Sequence, residues 1–540
     1  MSPGRRGCAA VLLALAACSP GPPAGDPERG RLLYLSGRRP DGTPLEARAQ
    51  GDVPVRGADA ACVRCHQRSG MGSAEGGMLV LPITGPRLAA PQEWSNQDLM
   101  RYLYREEQER AFKAKLLQMR IRPAYDRPSL IRALCEGLRP DGHPLDPAMP
   151  RYRLSEEDAR DLAAWLERLG AAPSPGVDEE RIHFATVILP DADPGEATAL
   201  LETLEAWKER RNQHVLWELQ KPGHSVRFKD TLYDALRLWE LHVWRLEGPP
   251  SSWPEQLTAL LEEQPVFALV SGLGGPRFGW GPVQAWCEAE GLPCLFPWTA
   301  LPGEEDGAWY SFWFHEGVRL EARALAVFLR QRKDLEGAAQ LVGETAEERA
   351  GAAALDAALG RPLPRAARVE ELPAPPRVLV AWGAALPRPG PAGPERVYAT
   401  TRALTARSAA ELASLPAGLF FVTPCAPDPL LEPAIRQDRV WFRNQELPLD
   451  HERLRLAAYF AARSLDNALE HLFEDFYRDF LVESIEHGTE ERMTFGPFHR
   501  LSLGRDQRHA ARGCFLLRPD PDAEGGLAVE EAWTVPGLAE

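Results

Sequence analysis

Five consecutive residues, Cys62-Val63-Arg64-Cys65-His66, constrain this chain more than any other stretch. Two thiols three residues apart, with an imidazole beside the second, suit one turn of helix. Such a turn holds both sulfurs near one edge of a flat macrocycle and sets the histidine beneath its centre. The pattern is the C-x-x-C-H signature of covalent haem attachment, in which each thiol adds across one vinyl group and the histidine ligates iron as a neutral imidazole. Nine cysteines and twelve histidines in 540 residues give roughly 0.003 such matches by chance. A zinc knuckle wants a second ligand pair, and the next cysteine is the lone Cys135. A redox dithiol wants a preceding βαβ strand, and the run before Cys62 is short and turn-like. One haem c, tied to Cys62 and Cys65 with His66 on the iron, is the expected cofactor.

The N-terminus agrees with an exported chain. Arg5 and Arg6 precede an apolar run from Cys8 to Ala17, an export signal too short to span a bilayer. Leu15-Ala16-Ala17-Cys18 resembles the lipobox of bacterial lipoproteins. That resemblance implies a signal peptide over 1–17, lipidation of Cys18, and anchoring on the periplasmic side of a membrane. Ser19 resembles the pattern sorted to the outer membrane. An ordinary signal peptide cleaved near Ala17 stays open as the alternative. Residues 18–28 read as a Pro- and Gly-rich tether. No other apolar run approaches the ~20 residues of a membrane-spanning helix. The formal net charge of −15 argues against nucleic acid as a partner. A hydrophobic content of 44% provides for two or three cores.

Residues 29–170 carry a second resemblance. Gly30-Arg-Leu-Leu-Tyr34 opens the region, and Ser155 caps a closing helix with Leu162, Trp165, Leu166 and Leu169 on one face. These segments resemble the crossed first and last helices of class I c-type cytochromes, an all-α fold. In that family a small residue at the crossing lets the helices approach, and Gly30, Tyr34 and Trp165 match the arrangement. The family's axial methionine sits in a loop and is often followed by proline. Met149, in Pro147-Ala-Met149-Pro150, is the candidate sixth ligand, with Met71 or Met78 in a Gly-rich loop as fallback. Met100 and Met119 read as packing residues. Thr84-Gly85-Pro86-Arg87-Leu88 resembles the family's segment whose proline carbonyl orients the proximal histidine, which implies Pro86 in that role. Gly37–Leu45 and Gly137–Leu145 share a Pro-Asp-Gly core, so two similar tight turns are expected. His143 reads as a solvent-facing turn residue.

After a linker over 171–180 the pattern changes. Buried-strand runs at Ile182–Leu189, Val215–Leu219, Pro265–Val270 and Leu292–Phe296 alternate with helical segments near 195–212, 253–263 and 283–290, which predicts a parallel sheet with crossover helices. The order resembles type I periplasmic solute-binding proteins, the branched-chain amino-acid receptor class. It implies a two-lobed α/β domain over 181–540, with lobes of about 181–315 and 316–540 and chain crossings between them. Tyr310–Phe314 resembles the strand crossing toward the second lobe. Gln340–Gly343, Arg377–Ala381, Phe420–Thr423 and Cys514–Arg518 are expected strands, and Asp450–Glu486 one long helical run. In the family, loops at the carboxyl ends of strands hold ligand between the lobes. Ser271, Gly272, Thr299 and Tyr310 are the matching positions, for a small, amino-acid-like ligand. Cys287 and Cys294, seven apart, are expected to form a disulfide. Cys135, Cys425 and Cys514 leave an odd count.

The expected protein is multidomain: an all-α cytochrome c domain followed by a two-lobed α/β domain. A six-coordinate iron leaves no open position, so an electron carrier between periplasmic redox proteins is expected, not an enzyme. A solute receptor whose haem reports redox state or a gas is the alternative, and a haem enzyme the third reading.

Overall fold

The computed structural model describes residues 25–75, 78–92, 122–172, 174–220, 236–390, 393–472, 475–490 and 497–537. The signal peptide, Cys18, Met100 and Met119 lie outside the described residues. The chain divides into two compact units, Met1–Ala171 and Ala172–Glu540.

In the first unit, α1 (Pro27–Ser36) starts at Asp26, whose carboxylate accepts the Glu28 amide at 2.9 Å, and ends at Gly37 in the left-handed region. The helix α4 (Arg127–Glu136) repeats this design, with a capping box at Asp126 and Ser129 and Gly137 at its end. Between them lie β1 (Glu46–Ala49), β2 (Val53–Arg56), α2 (Val63–His66), the hairpin β3 (Ala74–Glu75) and β4 (Met78–Leu79), and α3 (Gly85–Ala89). After α4 come β5 (Arg151–Tyr152) and α5 (Glu156–Arg168).

The two Pro-Asp-Gly turns are the same structure twice. Arg39 N–H donates to Thr43 O at 2.9 Å, and Arg139 N–H donates to His143 O at 2.8 Å. Each turn sends the chain on extended, and this corrects the all-α expectation. The strands pair antiparallel in the order β2-β1-β5, with Ala47 opposite Tyr152 and Arg48 opposite Arg151. Ala47 and Tyr152 are buried, while Arg48 is exposed and Arg151 half-buried, the alternation of a half-buried sheet. The helices α1 and α5 cross at Gly30, where a Cβ would stand 2.0 Å from Asp161 O. Tyr34 and Trp165 meet beside the crossing with ring centroids 6.3 Å apart.

The second unit holds two sheets. The first, in the order β10-β9-β8-β6-β7, is parallel throughout. Its strands are β6 (Arg181–Ile188), β7 (Leu238–Arg245), β8 (Ala268–Val270), β9 (Cys294–Leu295) and β10 (Ser311–Phe312). The helices α6 (Pro194–Gln220), α7 (Trp253–Glu263) and α8 (Gly281–Glu290) connect them. The expected strand Val215–Leu219 is the last part of α6. Val215 is buried while Leu216 and Trp217 are exposed, a helical spacing that a β-branched and aromatic composition disguised. The strand that pairs with β6 is β7 instead.

The second sheet follows α9 (Val318–Gln331). It contains β11 (Ala338–Leu341), β12 (Arg365–Ala366), β13 (Val378–Ala381), β14 (Arg396–Ala399), β15 (Leu419–Thr423), β16 (Cys514–Pro519) and β17 (Leu527–Thr534). The order is β12-β11-β13-β14-β15-β16-β17, with the last two pairings antiparallel. Its helices are α10 (Ala346–Leu359), α11 (Thr401–Thr405), α12 (Ala409–Ala413), α13 (Asp428–Asn444), α14 (Glu452–Leu472) and α15 (Arg478–Glu490). The expected single run Asp450–Glu486 is thus two helices, α14 and α15.

One helix serves both lobes. Phe460, Ala461 and Leu465 of α14 pack with Phe184, Ala268 and Phe296 of the first sheet. Leu456 and Tyr459 of the same helix pack with Phe421 and Phe442 in the second lobe. Arg455, buried beside them, donates to Ala199 O at 3.1 Å and pairs with Glu202 and Asp450. The chain therefore returns to the first lobe after building most of the second.

Candidate functional site

The Cys62–His66 motif forms a single helical turn, closed by His66 N–H donating to Cys62 O at 2.9 Å. Two tyrosines hold its flanks. The Tyr152 hydroxyl donates to Ala60 O at 2.9 Å, and the Tyr34 hydroxyl donates to Gln67 O at 2.6 Å. Gln67 takes a positive φ of 60°, which turns the chain out of the helix. Cys62 is buried, and burial pushes its thiol up to about 11. Cys65 is exposed.

The His66 ring is oriented by a carbonyl. Its Nδ1 lies 3.2 Å from Leu81 O, so Nδ1–H donates and Nε2 presents a lone pair. Burial lowers this imidazole to about 4, and it is neutral at physiological pH. The orienting carbonyl belongs to Leu81 and not to Pro86. Pro86 lies in the first turn of α3, and its carbonyl accepts the Ala90 amide at 3.1 Å. A carbonyl inside a helix is committed to that helix, whereas Leu81 lies outside any helix and keeps its acceptor free.

Met149 is half-buried and packs against the core that contains Leu33, Tyr34, Cys62 and Leu162. The Met71 amide donates to Ser69 Oγ at 3.0 Å; the Met78 side chain lies outside the described residues. His143 is exposed, 3.3 Å from Asp141. Among the described residues no group of three or more His, Cys, Asp or Glu is placed to hold a metal ion. The set fits a covalent haem: two thiols on one turn, a neutral imidazole with Nε2 free, and a thioether in the same core.

The second unit places its expected residues differently. Ser271 follows β8, is buried at a positive φ of 54°, and its hydroxyl has no partner among the described residues. Gly272 has φ 140°, and a Cβ there would stand 2.5 Å from the Trp280 ring, so only glycine fits. Thr299 follows β9, and its Oγ1 accepts the Leu301 amide at 3.1 Å. Thr299 also lines a cavity of about 10 Å³ with Trp298, Trp313, Phe314 and His315, room for one water. Sequence reasoning missed His315. Its Nδ1 accepts the Gly317 amide at 2.8 Å, which leaves the ring proton on Nε2, and burial lowers it to about 3. Its position just past Tyr310–Phe314, where the chain leaves for the second lobe, was the available signal.

Tyr310 does not join this group. It precedes β10, at the amino end of a parallel strand, and its hydroxyl donates to Asp479 at 2.8 Å. Ser271 and Thr299 lie past the carboxyl ends of β8 and β9, the opposite edge of the sheet. Across the lobes, the Glu347 amide donates to Pro276 O at 3.1 Å, and its carboxylate pairs with Arg402 at 3.2 Å. Burial raises Glu347 to about 7 and Glu321 to about 8. Cys287 and Cys294 are both buried, and the structure holds them as free thiols. Cys294 is a hydrogen-bonding neighbour of Cys287, whose thiol is raised first by burial.

No protein-family model matches this chain, and none of the curated proteins does. Solved structures do. The fatty acid ABC transporter substrate-binding protein from Thermomonospora curvata is 18% identical, covering 68% of this chain and 96% of its own, with a TM-score of 0.47. A branched chain amino acid ABC transporter from Thermus thermophilus, with bound valine, is 11% identical over 67% of this chain and 98% of its own, TM-score 0.48. A possible leucine/isoleucine/valine-binding protein from Rhodopirellula baltica is 14% identical over 66% and 98%, TM-score 0.47. What those proteins bind is a property of theirs, and the two-lobed architecture described here stands on this chain's own strand order.

Proposed function

We propose that this chain is an exported monohaem c-type cytochrome fused to a two-lobed module of the solute-binding type. Cys62 and Cys65 would tie the haem c, and His66 Nε2 and the Met149 thioether would hold its iron. The observation that carries the reading is the His66 ring, neutral and oriented by Leu81 O so that its free nitrogen is the metal-ligating one. Haem held this way supplies a one-electron couple, and His/Met ligation favours the reduced iron. The chain's own part is to fix the imidazole, through Leu81 O, and to keep the Met149 thioether in the same core. That makes it an electron carrier rather than an enzyme, with periplasmic redox proteins as its partners and Cys18 as its lipid anchor. Expression with the haem-maturation machinery tests it. The mature protein should be coloured and keep its pigment in acidified organic solvent, while C62S/C65S should lose it; a colourless wild-type protein refutes the reading.

A second reading has its own observation. The Ser271 hydroxyl is buried without a partner among the described residues, and the Thr299 hydroxyl follows β9 on the same edge of the sheet. These are donors at the carboxyl ends of strands, where a small carboxylate would be held. On this reading the module is a receptor for an amino-acid-like solute, and the haem reports its state. Branched-chain amino acids are the first ligands to titrate. A rise in melting temperature identifies binding, and a simultaneous change in haem midpoint potential distinguishes a sensor from two independent modules.

A further inference from the structure

The strand β5 joins two parts of the proposed haem site that are far apart in sequence. Its first residue, Arg151, gathers the Met149 loop: the guanidinium donates to Met149 O, to Leu145 O at 3.1 Å and to Asp146 O at 3.4 Å. Its second residue, Tyr152, is buried and donates to Ala60 O at 2.9 Å, two residues before Cys62. The same hydroxyl lies 3.7 Å from Cys62 Sγ. Pairing of Ala47 with Tyr152 and Arg48 with Arg151 fixes the strand itself. The Met149 loop is thus bound to β5, and β5 to the attachment turn, by one phenolic hydroxyl.

Resting on the haem reading above, we propose that Tyr152 is the positioning residue that keeps Met149 on the iron, by latching the Met149 loop to the Cys62 side of the site. Tyr34 makes the matching contact on the other side, at Gln67 O, from α1. It holds the turn through Gln67 O rather than through β5, and it provides the comparison. Replacing Tyr152 by phenylalanine keeps the ring in the core and removes only the latch. The loop then departs more readily, and an outside ligand takes the sixth position more easily.

The test is binding of free imidazole to the oxidised, mature haem protein, followed by its absorption spectrum. Y152F should stay coloured and bind imidazole about 10-fold more tightly than wild type, the scale on which outer partners of metal ligands act. Y34F, which loses the bond on the Gln67 side, should gain less than Y152F does. Equal imidazole affinity in Y152F and wild type overturns the proposal. So does an equal gain in Y34F, since that reports general loosening. A colourless Y152F beside a coloured wild type also overturns it, because the hydroxyl would then act on attachment at Cys62. A colourless wild type removes the haem reading itself, and is told apart from these outcomes by C62S/C65S having nothing to lose.

Discussion

His66 keeps a lone pair on Nε2 because a carbonyl has taken Nδ1–H. The choice of Leu81 over Pro86 follows from which carbonyls a helix leaves unused, and that depends on where α3 begins. The thioether partner is tested directly: M149A should keep its colour and lose the weak absorption band near the red edge of the visible that reports methionine on iron. Survival of that band would move the sixth ligand elsewhere. At the same scale, Glu321 is a buried acid held protonated in the fold, raised to about 8 from 4.5. Its folded value exceeds its unfolded one, so its contribution is complete below about pH 4.5 and is lost as pH rises through 8. E321Q should therefore gain stability over wild type at pH 9, on the order of a few kcal/mol, and gain little at pH 5. Denaturant unfolding at both pH values checks this; an equal gap at the two would show that Glu321 does not titrate with folding.

Between elements, the crossing of α1 and α5 rests on Gly30. A side chain there meets backbone, not a movable neighbour, so G30A should destabilise the first unit by about 3 kcal/mol, read as a lower melting temperature. Gly30, Tyr34 and Trp165 were legible because close packing leaves a sequence mark: a glycine between apolar positions and an aromatic on each side. The strands β6, β8 and β9 were legible as apolar runs for the same reason. Val215–Leu219 misled, because Val, Leu and Trp suit a strand locally while the 27-residue helix α6 continues through them. The small sheet β2-β1-β5 was hidden because two- and four-residue strands carry no periodicity to read. Tyr310 misled in another way. The chemistry of a tyrosine says nothing about which end of its strand it occupies, and that end is decided by the parallel register with Cys294. Leu81 carried no signal at all, since the group that acts is a backbone carbonyl.

Across the whole molecule, α14 is the element that both lobes share. Its fourteen buried positions leave it no solvent face of the ordinary width. A fragment of residues 172–331 would contain all five strands of the first sheet and lack the helix that covers them. Such a chain should fail to fold, giving no near-ultraviolet dichroism and binding hydrophobic dyes, while the full-length protein melts as a cooperative unit. A truncated form that folds stably would show the first lobe to be self-sufficient.

That shared helix bears on how the protein is made. A polypeptide delivered from its N-terminus, whether by ribosome or translocon, releases β6 through β10 well before Phe460 emerges. Through that interval the growing chain carries a bare apolar sheet, and its safe passage depends on delivery outpacing aggregation or on a holding chaperone. The haem-motif unit, complete by Ala171, has no such wait and is free to mature while synthesis of the rest goes on.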